Sequence, residues 1–273
     1  MASSGSRAAL AGATEKLTAD TATATVAQVA SVADEILSVA GLLRAQPRLR
    51  RALTDPARSG ADRAELLRSL LSGKLSEITV DALATLVAAR FRSPSELLDA
   101  TERLGAEALL DSGDRAGDLA DIEDELFRFG QIVSGNGELA VTLSDPGAPT
   151  SRRVKLVEDL LKGKAKPATL RLAEVALEGF GGRGFEGSLT RLVEMTAAKR
   201  DRQVAYVTVA KPLTDGEEQA LATKLSDIYR RQVSLKIDVD PSVIGGVSVK
   251  VGSDLYDGTV LRRLNEAKQA FAK

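Results

Sequence analysis

The chain contains no histidine, no cysteine and no tryptophan, and aromatic residues make up only 3% of its 273 positions. Without histidine, Ser-His-Asp and Cys-His catalysis are impossible, and so is the commonest general base near neutral pH. Without histidine and cysteine, the usual ligand sets of structural and catalytic zinc are missing as well. Lysine, carboxylate and tyrosine chemistry remains open. The lack of cysteine fits a reducing compartment. Scarce aromatics also mean few platforms on which single-stranded bases could stack.

What is present is aliphatic and charged. Hydrophobic residues make up 44% of the chain, enough for sizeable cores, and alanine and leucine favour helices packed through small contacts. The 37 basic and 38 acidic residues nearly cancel. Residues 1–105 carry 13 basic and 12 acidic side chains, residues 106–195 carry 11 and 16, and residues 196–273 carry 13 and 10. No region has the net positive charge of a nucleic-acid binder. The start, MASSGSRAALAGATEKL, does not read as a signal peptide, because its apolar run is broken by Thr14, Glu15 and Lys16. No stretch approaches eighteen uninterrupted apolar residues, so a soluble protein without membrane insertion is expected.

The chain repeats itself. Residues 53–74 (LTDPARSGADRAELLRSLLSGK) align without gaps to residues 143–164 (LSDPGAPTSRRVKLVEDLLKGK) at an offset of 90, with nine of 22 positions identical. The identities include Asp55/Asp145, Pro56/Pro146, Arg63/Arg153, Leu70/Leu160 and Gly73/Gly163. Chance in so leucine- and alanine-rich a chain gives about two. The same offset pairs Asp34-Glu35 with Asp124-Glu125.

Each copy reads as helical. Val26, Val29, Ala33, Ile36, Leu37 and Ala40 fall at three- and four-residue steps, as do Leu66, Leu67, Leu70 and Leu71, with Gly73 placed to end the second helix. Ser93-Pro94-Ser95-Glu96 has the form of a helix start with a capping box. Copy two predicts helices near 117–133, 137–142, 150–162, 167–179 and 186–200. The expected organisation is a helical bundle over 1–105, a second over 106–198, and a small α/β domain over 199–273. The fold class is mainly α, with five or six helices per bundle.

Residues 179–187, GFGGRGFEG, contain G-x-G-x-x-G at Gly182, Gly184 and Gly187, followed by Asp201 about twenty residues on. A dinucleotide fingerprint requires a strand before the glycines to aim backbone N–H groups at pyrophosphate. The preceding LRLAEVALEGF has helical spacing instead. Its counterpart in copy one, AARFRSPSELL, has no glycine. A connection between helices is expected, with no cofactor, no metal and no catalytic residue.

After Lys199 the period changes. QVAYVTVA (203–210) reads as a strand, and 214–230 as a helix capped by Thr214 and Glu217, with Leu221, Leu225 and Ile228 on its apolar face. VSLKIDV (233–239) alternates, with Val233, Leu235, Ile237 and Val239 inward and Ser234, Lys236 and Asp238 outward. VSVKV (247–251) alternates again, Asp257-Gly258 makes a turn, and a last helix runs from about 259 to 272. Two or three strands and two helices are expected.

The segment PSVIGGVSVKVGSDLYDGTVLRRLNEA (241–267) resembles the C-terminal signature of the delta subunit family of bacterial F-type ATP synthases, homologous to the mitochondrial oligomycin-sensitivity-conferring protein. The signature falls on Gly245, Gly246, Val247, Val249, Lys250, Gly252, Asp257, Gly258, Thr259, Arg263 and Leu264. The resemblance covers roughly 106–273, and residues 1–105 exceed it as a second copy of the bundle, as in actinobacterial members.

The resemblance implies a non-catalytic stator subunit in a hetero-oligomeric complex at the cytoplasmic face of the cell membrane. Its helical part would bind N-terminal segments of the alpha subunits, its C-terminal domain would hold the peripheral-stalk b subunit, and together they would resist rotor torque. The residues alone also fit a generic helical scaffold for amphipathic partner helices.

Overall fold

A computed structural model describes residues 4–200, 202–230, 232–243, 245–252 and 254–259. By contact the chain forms two compact units, Met1–Val193 and Glu194–Lys273.

The first unit is helical: α1 (Ser4–Asp20), α2 (Val26–Ala45), α3 (Pro47–Leu53), α4 (Gly60–Leu71), α5 (Glu77–Ala88), α6 (Pro94–Ala116), α7 (Leu119–Ser134), α8 (Gly137–Ser144), α9 (Thr150–Leu161), α10 (Pro167–Leu177) and α11 (Phe185–Lys199), whose last turns run into the second unit. Local chemistry sets the helix starts. Thr25 and Gln28, like Ser59 and Asp62, form capping boxes, while Pro47, Pro94 and Pro167 occupy first turns. Such caps each contribute about 1 kcal/mol. At Ser93 the hydroxyl accepts from Glu96 N, but the Glu96 carboxylate accepts from Arg92 N (3.0 Å), one residue outside the expected box.

The 90-residue repeat holds at the level of single hydrogen bonds. The buried Arg63 guanidinium donates to Val87 O, and its equivalent Arg153 donates to Leu177 O, the same position 90 residues on. Asp55 accepts from Ala57 N as Asp145 accepts from Gly147 N. Gly73 and Gly163 both sit at positive φ, 73° and 74°. The Glu35 carboxylate accepts from Ser76 N and the hydroxyls of Ser76 and Thr79. Glu125 likewise accepts from Lys166 N and the Thr169 hydroxyl. Burial pushes the Glu35 carboxyl up, but the hydrogen bonds from Ser76 and Thr79 outweigh it and hold it below its ordinary value.

The expected boundary at 105/106 falls inside α6. This 23-residue helix packs against α1, α2 and α3 of copy one and α7 and α10 of copy two, ending on Gly117 in the left-handed region (φ 75°). It closes copy one and opens copy two. α2, whose partner is chiefly α6, is the one described helix long and apolar enough to cross a membrane. Here Val29, Val32, Ala33, Ile36, Leu37, Val39, Ala40 and Leu43 are buried in the bundle, and Asp34 and Glu35 lie in mid-helix.

The second unit contains β1 (Arg202–Val209), α12 (Asp215–Tyr229), β2 (Gln232–Val239), β3 (Val247–Val251) and β4 (Asp254–Asp257), in sheet order β2-β1-β3-β4. β1–α12–β2 is a parallel crossover unit, and β3 runs antiparallel to both β1 and β4. Thr214 and Glu217 form the expected capping box.

Four details differ from the sequence reading. Val239, which alternation points inward, is 43% exposed at the end of β2. β4 is a fourth strand, masked in sequence by the loop-like SDLYDG. Ile228 is 62% exposed, and the stripe of α12 packed on the sheet core is Leu225, buried, with Leu221 and Tyr229, half-buried, at four-residue steps. Lys236 is 3% exposed although alternation puts it on the outer face, so that face is covered there and polarity did not predict exposure. The helix expected over 259–272, with Arg263 and Leu264, lies outside the described residues beyond Thr259.

Candidate protein-interaction site

GFGGRGFEG is a turn between two helices. α10 ends at Leu177, Gly179 takes φ 81°, a 3-10 turn spans Phe180–Gly182, and α11 starts at Phe185. A helix, not a strand, precedes the glycines, so the geometry for cradling a pyrophosphate is missing.

The turn serves to join the copies. Glu102 on α6 is 3% exposed and accepts from the Gly181 N–H (2.8 Å) and from Arg44 Nη2 (2.7 Å). Arg44, near the end of α2, also pairs with Glu178, and Arg171 on α10 pairs with Asp34 on α2 (2.6 Å) and with Glu174 (2.8 Å). A cavity of about 500 Å³ at this joint is lined by Arg44, Arg153, Glu178 and Arg183. Nothing in the sequence flagged Glu102, since a lone glutamate in a helix reads as a solvated face.

Burial pushes the Glu102 carboxyl up from its ordinary value, and Gly181 N–H and Arg44 offset only part of this. With the folded value raised, the folded state holds the proton to higher pH than the unfolded one. The stabilisation is complete below the unfolded value of 4.5 and is lost as pH rises through the folded value. Glu102→Gln cannot ionise, so its urea midpoint is expected to gain on the native protein as pH rises from 4.5 to neutrality. A variant that instead falls behind would show the Arg44 pairing to outweigh burial.

Several large apolar side chains of the described residues are exposed. Leu42 on α2 (41% exposed) and Ile132 on α7 (59%) are equivalent positions 90 residues apart, both apolar and both outward. Val141 on α8 is 72% exposed. In the second unit, Leu255 (63%) and Tyr256 (48%) lie on β4 and Ile228 at the end of α12. The Tyr229 hydroxyl donates to Asp254 (2.9 Å) and lies 3.3 Å from the Tyr256 hydroxyl, tying that helix end to β4. Tyr229 is pushed well above its ordinary value, first by Tyr256, then by burial and Asp254.

The C-terminal signature residues build the backbone of this second unit. Gly245 and Gly246 take φ 115° and 85°, which favours glycine. A Cβ on Gly246 would lie 2.5 Å from Gly258 O and 2.9 Å from Thr259 Cα. Gly258 N donates to Val247 O, and the Asp257 carboxylate accepts from Thr259 N. Val249 is buried between Val207 and Tyr256 in the register, Lys250 is exposed, and Gly252 turns the β3–β4 connection at φ 58°. These residues hold strands and turn together, and none of those described forms a reactive cluster. Among the described residues, no group of His, Cys, Asp and Glu is placed to hold a metal ion.

The family model for the ATP synthase delta (OSCP) subunit matches residues 101–271. Proteins named ATP synthase subunit delta are similar over almost the whole chain. The Salinispora arenicola protein is 64% identical, over 90% of this chain and 89% of its own. The Streptomyces griseus protein is 44% identical over 98% and 99%, and the Streptomyces coelicolor protein 41% over 98% and 97%. A chain of the Toxoplasma gondii mitochondrial ATP synthase hexamer, seen by cryo-EM, has TM-score 0.38 and 16% identity over 62% of this chain and 95% of that one, too slight a likeness to bear on function. The duplicated helical unit, the glycine-braced α/β unit and these relatives agree: the chain belongs to the ATP synthase delta (OSCP) subunit family.

Proposed function

We propose that the protein is a non-catalytic stator subunit of an F-type ATP synthase. It links the alpha subunits of the catalytic head to the b subunit of the peripheral stalk, at the cytoplasmic face of the cell membrane, and opposes rotor torque. The observation that carries this reading is the family match, which spans copy two and the α/β unit. The surfaces support it. Leu42 and Ile132 offer apolar anchors on two helices, where a partner helix docks through residues at i, i+3, i+4 and i+7. Ile228, Leu255 and Tyr256 are exposed apolar side chains on the other unit. Two surfaces on one chain gain avidity when both are engaged, and holding a load needs such contacts rather than a reactive group.

The test is a pair of binding measurements on the full chain, one with the N-terminal peptide of the cognate alpha subunit and one with the C-terminal helix of the cognate b subunit. Saturable binding of both is expected. Binding of neither would reduce the protein to a helical scaffold of another kind.

A further inference from the structure

One charged surface belongs to copy one alone. Residues 44–58, the end of α2, α3 and the following turn, contain five arginines and one aspartate, a net of +4. The equivalent residues 134–148 contain Glu138 and Asp145 and no base, a net of −2. The turn before α6 adds Arg90 and Arg92, whose equivalents in copy two are the uncharged Phe180 and Gly182. Val141, the exposed apolar residue of α8, is Arg51 in copy one.

These arginines sit on a built surface. Arg63 lies beneath it, donating to Asp55 O (3.3 Å) and Arg58 O (2.8 Å) on one side and to Ala88 O (2.9 Å) and Ala89 O (3.0 Å) on the other. One buried guanidinium thus fastens the turn after α3 to the end of α5. Between α3 and the turn before α6 runs a groove of about 560 Å³, lined by Arg51, Thr54, Asp55, Phe91 and Arg92. Arg44 is taken up at the joint with copy two, but Arg48, Arg51, Arg90 and Arg92 are exposed and make no ion pair among the described residues. Arg58 pairs loosely with Asp55, at 3.8 Å, and also lies near the Asp62 carboxylate.

We propose that this groove binds an acidic segment of a protein partner, one presenting at least two carboxylates to Arg51 and Arg92. Charge complementarity is one reason. The residue type is another: every cation added by copy one here is arginine, whose planar fork takes a carboxylate through two parallel N–H···O bonds. Nucleic acid fits less well, because Phe91 is the one aromatic lining the groove and it is half-buried.

The test uses the full chain and three fluorescent probes: an octaglutamate peptide, an uncharged glycine-serine peptide of equal length, and a single-stranded DNA octamer. Anisotropy at low salt should show the octaglutamate bound and the neutral peptide not, with affinity falling as salt rises. Arg51→Glu/Arg92→Glu, both exposed positions, should weaken octaglutamate binding at least about tenfold with an unchanged melting temperature. Binding that survives the double reversal, or no binding at all, overturns the proposal. DNA bound more tightly than octaglutamate through the same two arginines overturns it in favour of a nucleic-acid surface.

Discussion

Replacing Arg63 by methionine is expected to lower the stability of the helical unit by about 4 kcal/mol, and replacing Arg153 by about 2 kcal/mol. The two residues are equivalent in sequence, so the difference comes from their surroundings. Arg63 donates five hydrogen bonds, all to backbone carbonyls, three of them at the end of α5. Methionine fills much of the volume but donates nothing, so one buried and four part-buried carbonyls lose this donor while the cost of burying a guanidinium is relieved. Arg153 donates to Leu143 O (3.2 Å), Leu177 O (3.1 Å) and, more weakly, the Thr150 hydroxyl (3.4 Å). Its Nε is buried without a partner, so less is lost when it goes. Urea unfolding followed by far-ultraviolet circular dichroism on the full chain measures both. Equal losses would show that the number of hydrogen bonds does not govern the cost.

The second large effect is expected at Gly246. Gly246→Ala should destabilise the α/β unit by about 3 kcal/mol, and Gly252→Ala by about 1 kcal/mol. Both glycines have positive φ, but a Cβ at Gly246 meets backbone atoms of Gly258 and Thr259 that no rotamer can move aside. At Gly252 the Cβ points into open space, so only the left-handed conformation is penalised. The three tyrosines of the chain, Tyr206, Tyr229 and Tyr256, all lie in this unit and there is no tryptophan. Tyrosine fluorescence therefore follows this unit's unfolding alone. Similar losses at the two glycines would refute the steric account.

Much of this was legible in the sequence, because the information was local or repeated. The helices expected near 150–162 and 186–200 are α9 at Thr150–Leu161 and α11 at Phe185–Lys199. The identities Asp55/Asp145, Arg63/Arg153 and Gly73/Gly163 mark an Asx turn, a buried carbonyl clamp and a left-handed helix end. What escaped the sequence depends on contacts between distant segments. Glu102 is buried because Arg44 and Gly181 converge on it from 58 and 79 residues away. Lys236 lies under cover that alternation cannot reveal. β4 is four residues with an aspartate at each end, and becomes a strand only because β3 offers it a partner. The basic groove was hidden by averaging, since residues 1–105 are nearly neutral as a whole while their arginines gather on one surface.

Tandem duplicates are usually beads on a string, with slack between them. Here the string has been removed. α6 is the last helix of one copy and the first of the next, 23 residues and about 35 Å of continuous helix. A pull along α6 would be carried by a helix whose backbone hydrogen bonds lie along its own axis, with no loop to straighten first. Stiffness between the copies is therefore inherited from the helix itself, and the joint at Glu102 has only to prevent bending.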